Sequence, residues 1–202
     1  MEFSKLNQSR HKVTQFDGRQ VTVDEVKAIL AEAILAPSAH NIQPWHFVIV
    51  DSKEMRLALS TAMHGKNAVQ NEAAGATLVV FSDTDLPERV RDMVEIGADF
   101  LPVDHQADLL MKLPGMFEKF TTEQLAEYLA LNIGLVSQNI VLAANDKGLK
   151  TNIILGFDKV KAKAVLAIED RFQPELIITM GYSDDAGTAS YRLPVDDITD
   201  IL

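Results

Sequence analysis

Residues 122–147 read TEQLAEYLALNIGLVSQNIVLAANDK, and Gly148 follows as a helix stop. At about 26 residues the run is longer than the usual globular helix. Its second half is unusual, because Ile133, Leu135, Val136, Ile140, Val141, Leu142, Ala143 and Ala144 put apolar groups on nearly every side. That pattern predicts a helix buried all round rather than one lying on a surface. In so small a protein a second copy of the chain is the natural cover.

Short β-rich runs at 45–50, 77–81, 151–155 and 175–181 read as strands. Residues 22–35 read as a helix, with Thr22 and Glu25 forming a capping box and Val23, Val26, Leu30, Ala33 and Ile34 sharing a face until Pro37 ends it. Helices are also expected over 53–63, over 158–166, and from Leu86 up to breaks at Pro102 and Pro114, with 187–202 an extended tail. No repeat, low-complexity tract or linker interrupts the chain, so 1–202 reads as one domain. Strands between helices argue α+β or α/β, and the long central helix argues against a simple doubly wound sheet.

The 202 residues carry 19 basic and 29 acidic side chains, a formal charge of −10, with 47% hydrophobic and 24% charged residues. That composition is globular. Net acidity argues against a protein built to neutralise nucleic-acid phosphates. The absence of cysteine excludes disulfides, thiolate metal sites and cysteine nucleophiles. Residues 1–15 lack a signal-like apolar run, and no stretch approaches the ~18–20 uncharged apolar residues of a membrane span. A soluble, cytoplasmic protein with neither membrane nor nucleic acid as partner is the expectation.

The loop Ala36-Pro37-Ser38-Ala39-His40-Asn41-Ile42-Gln43-Pro44-Trp45 packs small residues, amides and two prolines between a helix and a strand. Rigid turn residues around Ser38, Asn41 and Gln43 suit oriented hydrogen bonds to a planar polar ligand. The alternative is a connection whose Ser and Asn satisfy local backbone groups. Arg10-His11-Lys12 stands out in so acidic a chain as either an anion site or a solvated helix end. His46, His64 and His105 lack metal-ligand spacing, and no metal is expected. The acidic stretch 83–92 includes Arg89 and Arg91 and reads as a solvated face. No G-x-G-x-x-G or Walker loop is present.

Residues 10–16, the 36–45 loop, Asn132-Ile133-Gly134 in the long helix, Ile154-Leu155-Gly156-Phe157, Met180-Gly181-Tyr182 and Arg192-Leu193-Pro194 together resemble the FMN-dependent nitroreductase family, in that family's order. The resemblance implies an α+β, nitroreductase-like fold: a central, mainly antiparallel sheet flanked by helices, in an intertwined homodimer with a long interface helix. It also implies two FMN sites between subunits. Arg10, His11 and Lys12, with Thr14 beside them, fall where the family grips phosphate and ribityl, and Arg192 is a further phosphate ligand. Pro37, Ser38, Ala39 and Asn41 match the loop contacting the flavin from the partner chain. Asn67 and Gln70 match polar residues on the pyrimidine side. Ile154, Leu155 and Gly156 sit where a backbone N–H points at flavin N5. Phe117 and Phe120 fall in a variable excursion over the site, and with the loop's His40 they are candidate substrate-pocket residues.

The chain departs from relatives in carrying Lys12 where many have a small hydroxyl residue, and Thr14 where many have a basic one. The activity implied is a ping-pong NAD(P)H oxidoreductase. NADH or NADPH passes hydride to flavin N5, and a nitroaromatic, quinone or related electron-poor acceptor then takes it. No catalytic residue is expected, since the flavin carries the chemistry. The alternatives are a specialised flavin enzyme of the same fold with another substrate, and a low-turnover flavin-binding or redox-sensing protein.

Overall fold

The computed structural model describes residues 2–202. Four strands, β1 (Trp45–Val50), β2 (Ala76–Asp83), β3 (Lys150–Ile154) and β4 (Phe172–Gly181), form one sheet in the order β1-β2-β4-β3. Every pairing is antiparallel. The β2–β4 register slips between Val80 and Phe81, where Pro174 stands opposite and offers no N–H to the ladder.

Among the described residues eight helices surround the sheet: α1 (Phe3–Ser9), α2 (Val23–Ala33), α3 (Lys53–Ser60), α4 (Lys66–Ala73), α5 (Leu86–Ile96), α6 (Val103–Phe117), α7 (Thr122–Asp146) and α8 (Lys159–Leu166). Strand periodicity sorts the core. Leu78 and Val80 of β2 face α2 and α7 through Val26, Ile29, Ile133, Val136 and Ile140. Val79 and Phe81 point the other way, into a second cluster with Leu59, Met63, Ile154 and Ala162. A third cluster, of Ile42, Leu86, Val90, Leu113, Phe117 and Leu129, joins α5 and α6 to the first half of α7.

Capping fixes the two helices that matter most. Thr22 and Glu25 form the expected box on α2, and Thr121 with Gln124 forms a second on α7. Among the described residues, α7 alone is long and apolar enough to cross a membrane by length and composition. Its buried Asn132, Ser137 and Asn145 and its packing against α2 and the sheet make it the core helix of this domain.

Three expectations need correction. Pro114 does not break its helix; α6 runs through it to Phe117, its last turn held by the burial of Leu113 and Phe117 in the third cluster even though Pro114 offers no N–H to the turn before it. The stretch 83–92 is not simply a solvated face, since Asp83 is buried and paired with Arg171. The segment after Gly187 is exposed but not uniformly extended, as Val195–Ile198 forms a 3-10 turn. Helices α1 and α4 have no counterpart in the sequence reading.

His46, in β1, stacks on Phe172 with ring centroids 4.2 Å apart, and burial pulls its imidazole below the usual histidine value. The unfolded chain therefore takes up a proton there before the folded one does. Stability from this group is complete at neutral pH and falls as pH drops below about 6.5 toward the lower folded value. His46→Phe should flatten the change in urea midpoint between pH 7.5 and 5.5; an unchanged slope would remove His46 from the pH response.

Candidate functional site

The basic segment after α1 is drawn onto the sheet edge. Val13 N–H donates to Thr151 O at 3.1 Å, and Lys12 bridges both Thr151 and Thr188. His11 Nδ1 lies 3.0 Å from Ala186 O. Gly187 makes this approach possible: its φ is +75°, and a Cβ there would lie 2.6 Å from His11 Cβ and 2.8 Å from Lys12 O. The tail then carries Arg192 alongside. A cleft of about 690 Å³ results, lined by Arg10, His11 and Arg192 together with Gln138 and Val141 of α7 and Ile153 of β3. A smaller pocket continues from it past Lys12, Thr151 and Asn152. Thr14 lines neither cavity.

Asn152 joins this cationic end to an amide-rich end. Its Nδ2 donates to Gln70 Oε1 at 2.7 Å, which leaves the Gln70 NH2 as a donor. Asn67 Nδ2 donates to Gly156 O at 3.2 Å. Among the described residues the N–H groups of Leu155 and Gly156 meet no backbone acceptor, and both residues are exposed. Ile154 is different, because its side chain is buried in the second core cluster and only its backbone reaches the edge. Sequence reading missed Asn152 and Gln138. A polar residue inside an apolar strand was the available signal for Asn152.

The 36–45 loop lies elsewhere. His40, Asn41 and Gln43 all adopt positive φ, at +57°, +53° and +49°, a conformation that costs non-glycine residues energy and clusters at working sites. The surroundings hold it in place. Ala39 N–H donates to Asn132 Oδ1 at 2.9 Å, Tyr128 OH donates to Ala39 O at 2.9 Å, and Gln43 N–H donates to Ser38 Oγ at 3.0 Å. Arg89 Nε reaches the carbonyls of Ile42 and Gln43 at 3.2 and 3.1 Å. Burial pushes the Tyr128 hydroxyl up to about 12, so it stays a donor at neutral pH. Pro37, Ala39, His40 and Asn41 are exposed.

Loop and cleft are thus on different sides of α7. At about 100° per residue, Val141 lies about 180° and Gln138 about 240° around the helix from Asn132, which faces the loop. Between them runs an open stripe. Leu131 is 64% and Leu135 39% exposed, and a Cβ built on Gly134 would meet nothing within 4 Å. In one chain, therefore, α7 is not covered all round, and the open stripe is the side a second copy would have to close.

Of the aromatic candidates, Phe117 is buried in the third cluster, while Phe120 lines a shallow groove with Tyr128 and Leu131. Phe117, Phe120 and Tyr128 pack edge to face with centroids 5.5–5.7 Å apart.

A sequence profile of the Nitroreductase family matches residues 8–182. The chain belongs to the nitroreductase family. It is 44% identical to a Streptococcus pyogenes protein provisionally named an NAD(P)H nitroreductase, over 98% of each chain. A nitroreductase-family crystal structure from Streptococcus pneumoniae superposes with a TM-score of 0.95 at 44% identity, covering 100% of both chains. A provisionally named nitroreductase from Exiguobacterium sibiricum, solved in complex with FMN, gives a TM-score of 0.93 at 29% identity over 100% of this chain and 98% of that one. The α+β architecture of this family member is that of the nitroreductase fold.

Proposed function

We propose that the chain is one subunit of a cytoplasmic, homodimeric, FMN-dependent NAD(P)H oxidoreductase. Nitroaromatics, quinones or related electron-poor rings serve as acceptors, with donor and acceptor occupying the site in turn. The observation that carries this reading is the division of the polar groups into two half-sites on different faces of α7, with an uncovered apolar stripe between them. A second copy packed on that stripe brings the loop of one chain toward the cleft of the other.

The residues present fit FMN. Arg10, Lys12 and Arg192 supply cationic donors of the kind a phosphate monoester needs, with His11 beside them. Asn67 and the Gln70 NH2, fixed by Asn152, supply donors for a polar ring edge. Leu155 and Gly156 are exposed just past the end of β3, with N–H groups that meet no backbone acceptor among the described residues. The chemistry that bound FMN supplies is hydride uptake from a reduced nicotinamide and its delivery to the acceptor. The chain's own task is to hold, orient and shield. Ser38 and Asn41 of the partner subunit would meet the polar edge while the ring face stays open, and no side chain is assigned as acid, base or nucleophile. His40 and Phe120 stay candidates for the rim of the acceptor pocket; Phe117 would act only by supporting Phe120.

The test is the absorbance spectrum of purified protein followed anaerobically as NADH or NADPH is added. FMN should be present at about one per chain, bleach with the donor and recover with a nitroaromatic or quinone. Protein that neither contains nor binds FMN, or that holds FAD instead, overturns the reading; bound FMN without donor oxidation leaves a flavin-binding or sensing protein. Arg192→Ala should weaken FMN by about tenfold and riboflavin hardly at all, because charge-assisted hydrogen bonds to phosphate are lost. Equal weakening of the two ligands would take Arg192 out of the phosphate site.

A further inference from the structure

A second cleft, of about 260 Å³, lies between the strained loop and α5. Asn41 and Gln43 form one wall. Arg89, Met93 and Ile96 form the other, at helical spacing along one face of α5, and Phe100 closes the far end. The apolar side is conspicuously bare, with Ile96 82% and Phe100 91% exposed.

Among the described residues, Arg89 is the one charged residue lining this cleft. Its Nε is occupied by the carbonyls of Ile42 and Gln43, but among the described residues its two terminal nitrogens make no hydrogen bond or ion pair. The carboxylates that act on it electrostatically, Asp83 and Asp92, are both hydrogen-bonded to Arg171 instead. A half-buried guanidinium is thus anchored by one edge, with its donor fork unspent, beside apolar side chains. Such a fork matches a carboxylate.

We propose that this cleft is the acceptor's anchoring subsite, and that the preferred acceptors are small, electron-poor rings or conjugated carbonyl compounds bearing a carboxylate. Arg89 receives the carboxylate, and Met93, Ile96 and Phe100 cover the apolar body. The volume suits a single substituted ring, being below the range of about 300–1,000 Å³ that holds drug-sized ligands. This rests on the oxidoreductase reading above, since Asn41 both lines the cleft and is assigned to the flavin edge, which places the bound acceptor beside the ring. It adds a specificity residue, Arg89, and a substrate class to that reading.

The probe pair is 4-nitrobenzoate and its uncharged methyl ester. Their dissociation constants are measured by calorimetry on the purified dimer, with and without FMN, and kcat/KM is measured on the loaded enzyme. The acid should bind about tenfold tighter than the ester, a preference of about 1.4 kcal/mol, and the margin should shrink as salt rises. Arg89→Gln should bring the ratio close to one, and Arg89→Lys should keep part of it. Because Arg89 also braces the loop, a second variant carries the test: Ile96→Glu adds a like charge on an exposed wall and should turn the ratio in favour of the ester. A wild-type ratio near one, or a preference untouched by Arg89→Gln and Ile96→Glu, overturns the proposal. Failure of the underlying reading is distinguishable, because it shows as absent FMN or absent donor oxidation whatever the binding ratio.

Discussion

Leu135→Glu is expected to abolish both the dimer and flavin binding. Leu135 sits in the middle of the open stripe of α7, with Leu131 one turn before it and the bare backbone of Gly134 beside it. A partner helix can approach closely there. In the proposed two-fold dimer the substitution would enter twice, placing two carboxylates in one apolar interface. Interfaces of obligate dimers bury on the order of 2,000–5,000 Å², and an unpaired charge within one costs several kcal/mol. Sedimentation at micromolar concentration should show dimeric wild type and a monomeric or aggregated variant. FMN should be lost in step, since the proposed site takes its loop from one chain and its cleft from the other. Leu135→Met, which keeps the volume and the apolar character, should leave both intact. A wild-type chain that is monomeric and still holds FMN, or a monomeric variant that retains it, would refute the shared site.

Legibility in the sequence followed the strength of local signals. Residues 122–147 could be placed to within a residue because a long, largely apolar stretch runs up to a terminal glycine there. Strand β1 was legible because Pro44 and Asp51-Ser52 bound it. Pro114 misled because its effect depends on where in the helix it falls, and that is set by the packing of Leu113 and Phe117 against Ile42 and Leu129. The acidic reading of 83–92 failed for a similar reason. Asp83 is buried by a strand that pairs with Phe172 across the sheet, and Arg171, its partner, is far away in sequence. In the site, composition pointed to Arg10, His11 and Lys12 and to the loop, whereas Asn152 and Arg89 owe their positions to tertiary contacts. Resemblance to a family supplied the roles; the separation of loop and cleft across α7 is visible only in three dimensions.

Arg171→Ala should cost about 3–5 kcal/mol of folding stability, a large share of the roughly 5–15 kcal/mol typical of a domain. Arg171 Nε and Nη2 hold both oxygens of Asp83, whose side chain is 1% exposed, and Nη2 also reaches Asp92 at 2.8 Å. These hydrogen bonds hold the guanidinium well above its usual value, so it is charged throughout the accessible pH range. Its own carbonyl accepts from Thr84 N–H and Oγ1, both at 2.8 Å, and pins the segment to the end of β2. Truncation leaves Asp83 buried with the Asp85 N–H as its one remaining hydrogen-bond donor to the side chain among the described residues. The guanidinium midpoint at pH 7 should fall with the denaturant slope unchanged. The double variant Asp83→Asn/Arg171→Ala should be less destabilised than the sum of its parts, because the buried charge leaves with its partner; simple additivity would show that the pair is not coupled. The cost reaches the site, for Asp83 N–H donates to Pro44 O and so fixes the end of the strained loop. Losing Arg171 also frees Asp92 to pair with Arg89. In the folded fraction of the variant, the advantage of a carboxylate-bearing acceptor over its ester should therefore shrink, although Arg171 lines neither cleft.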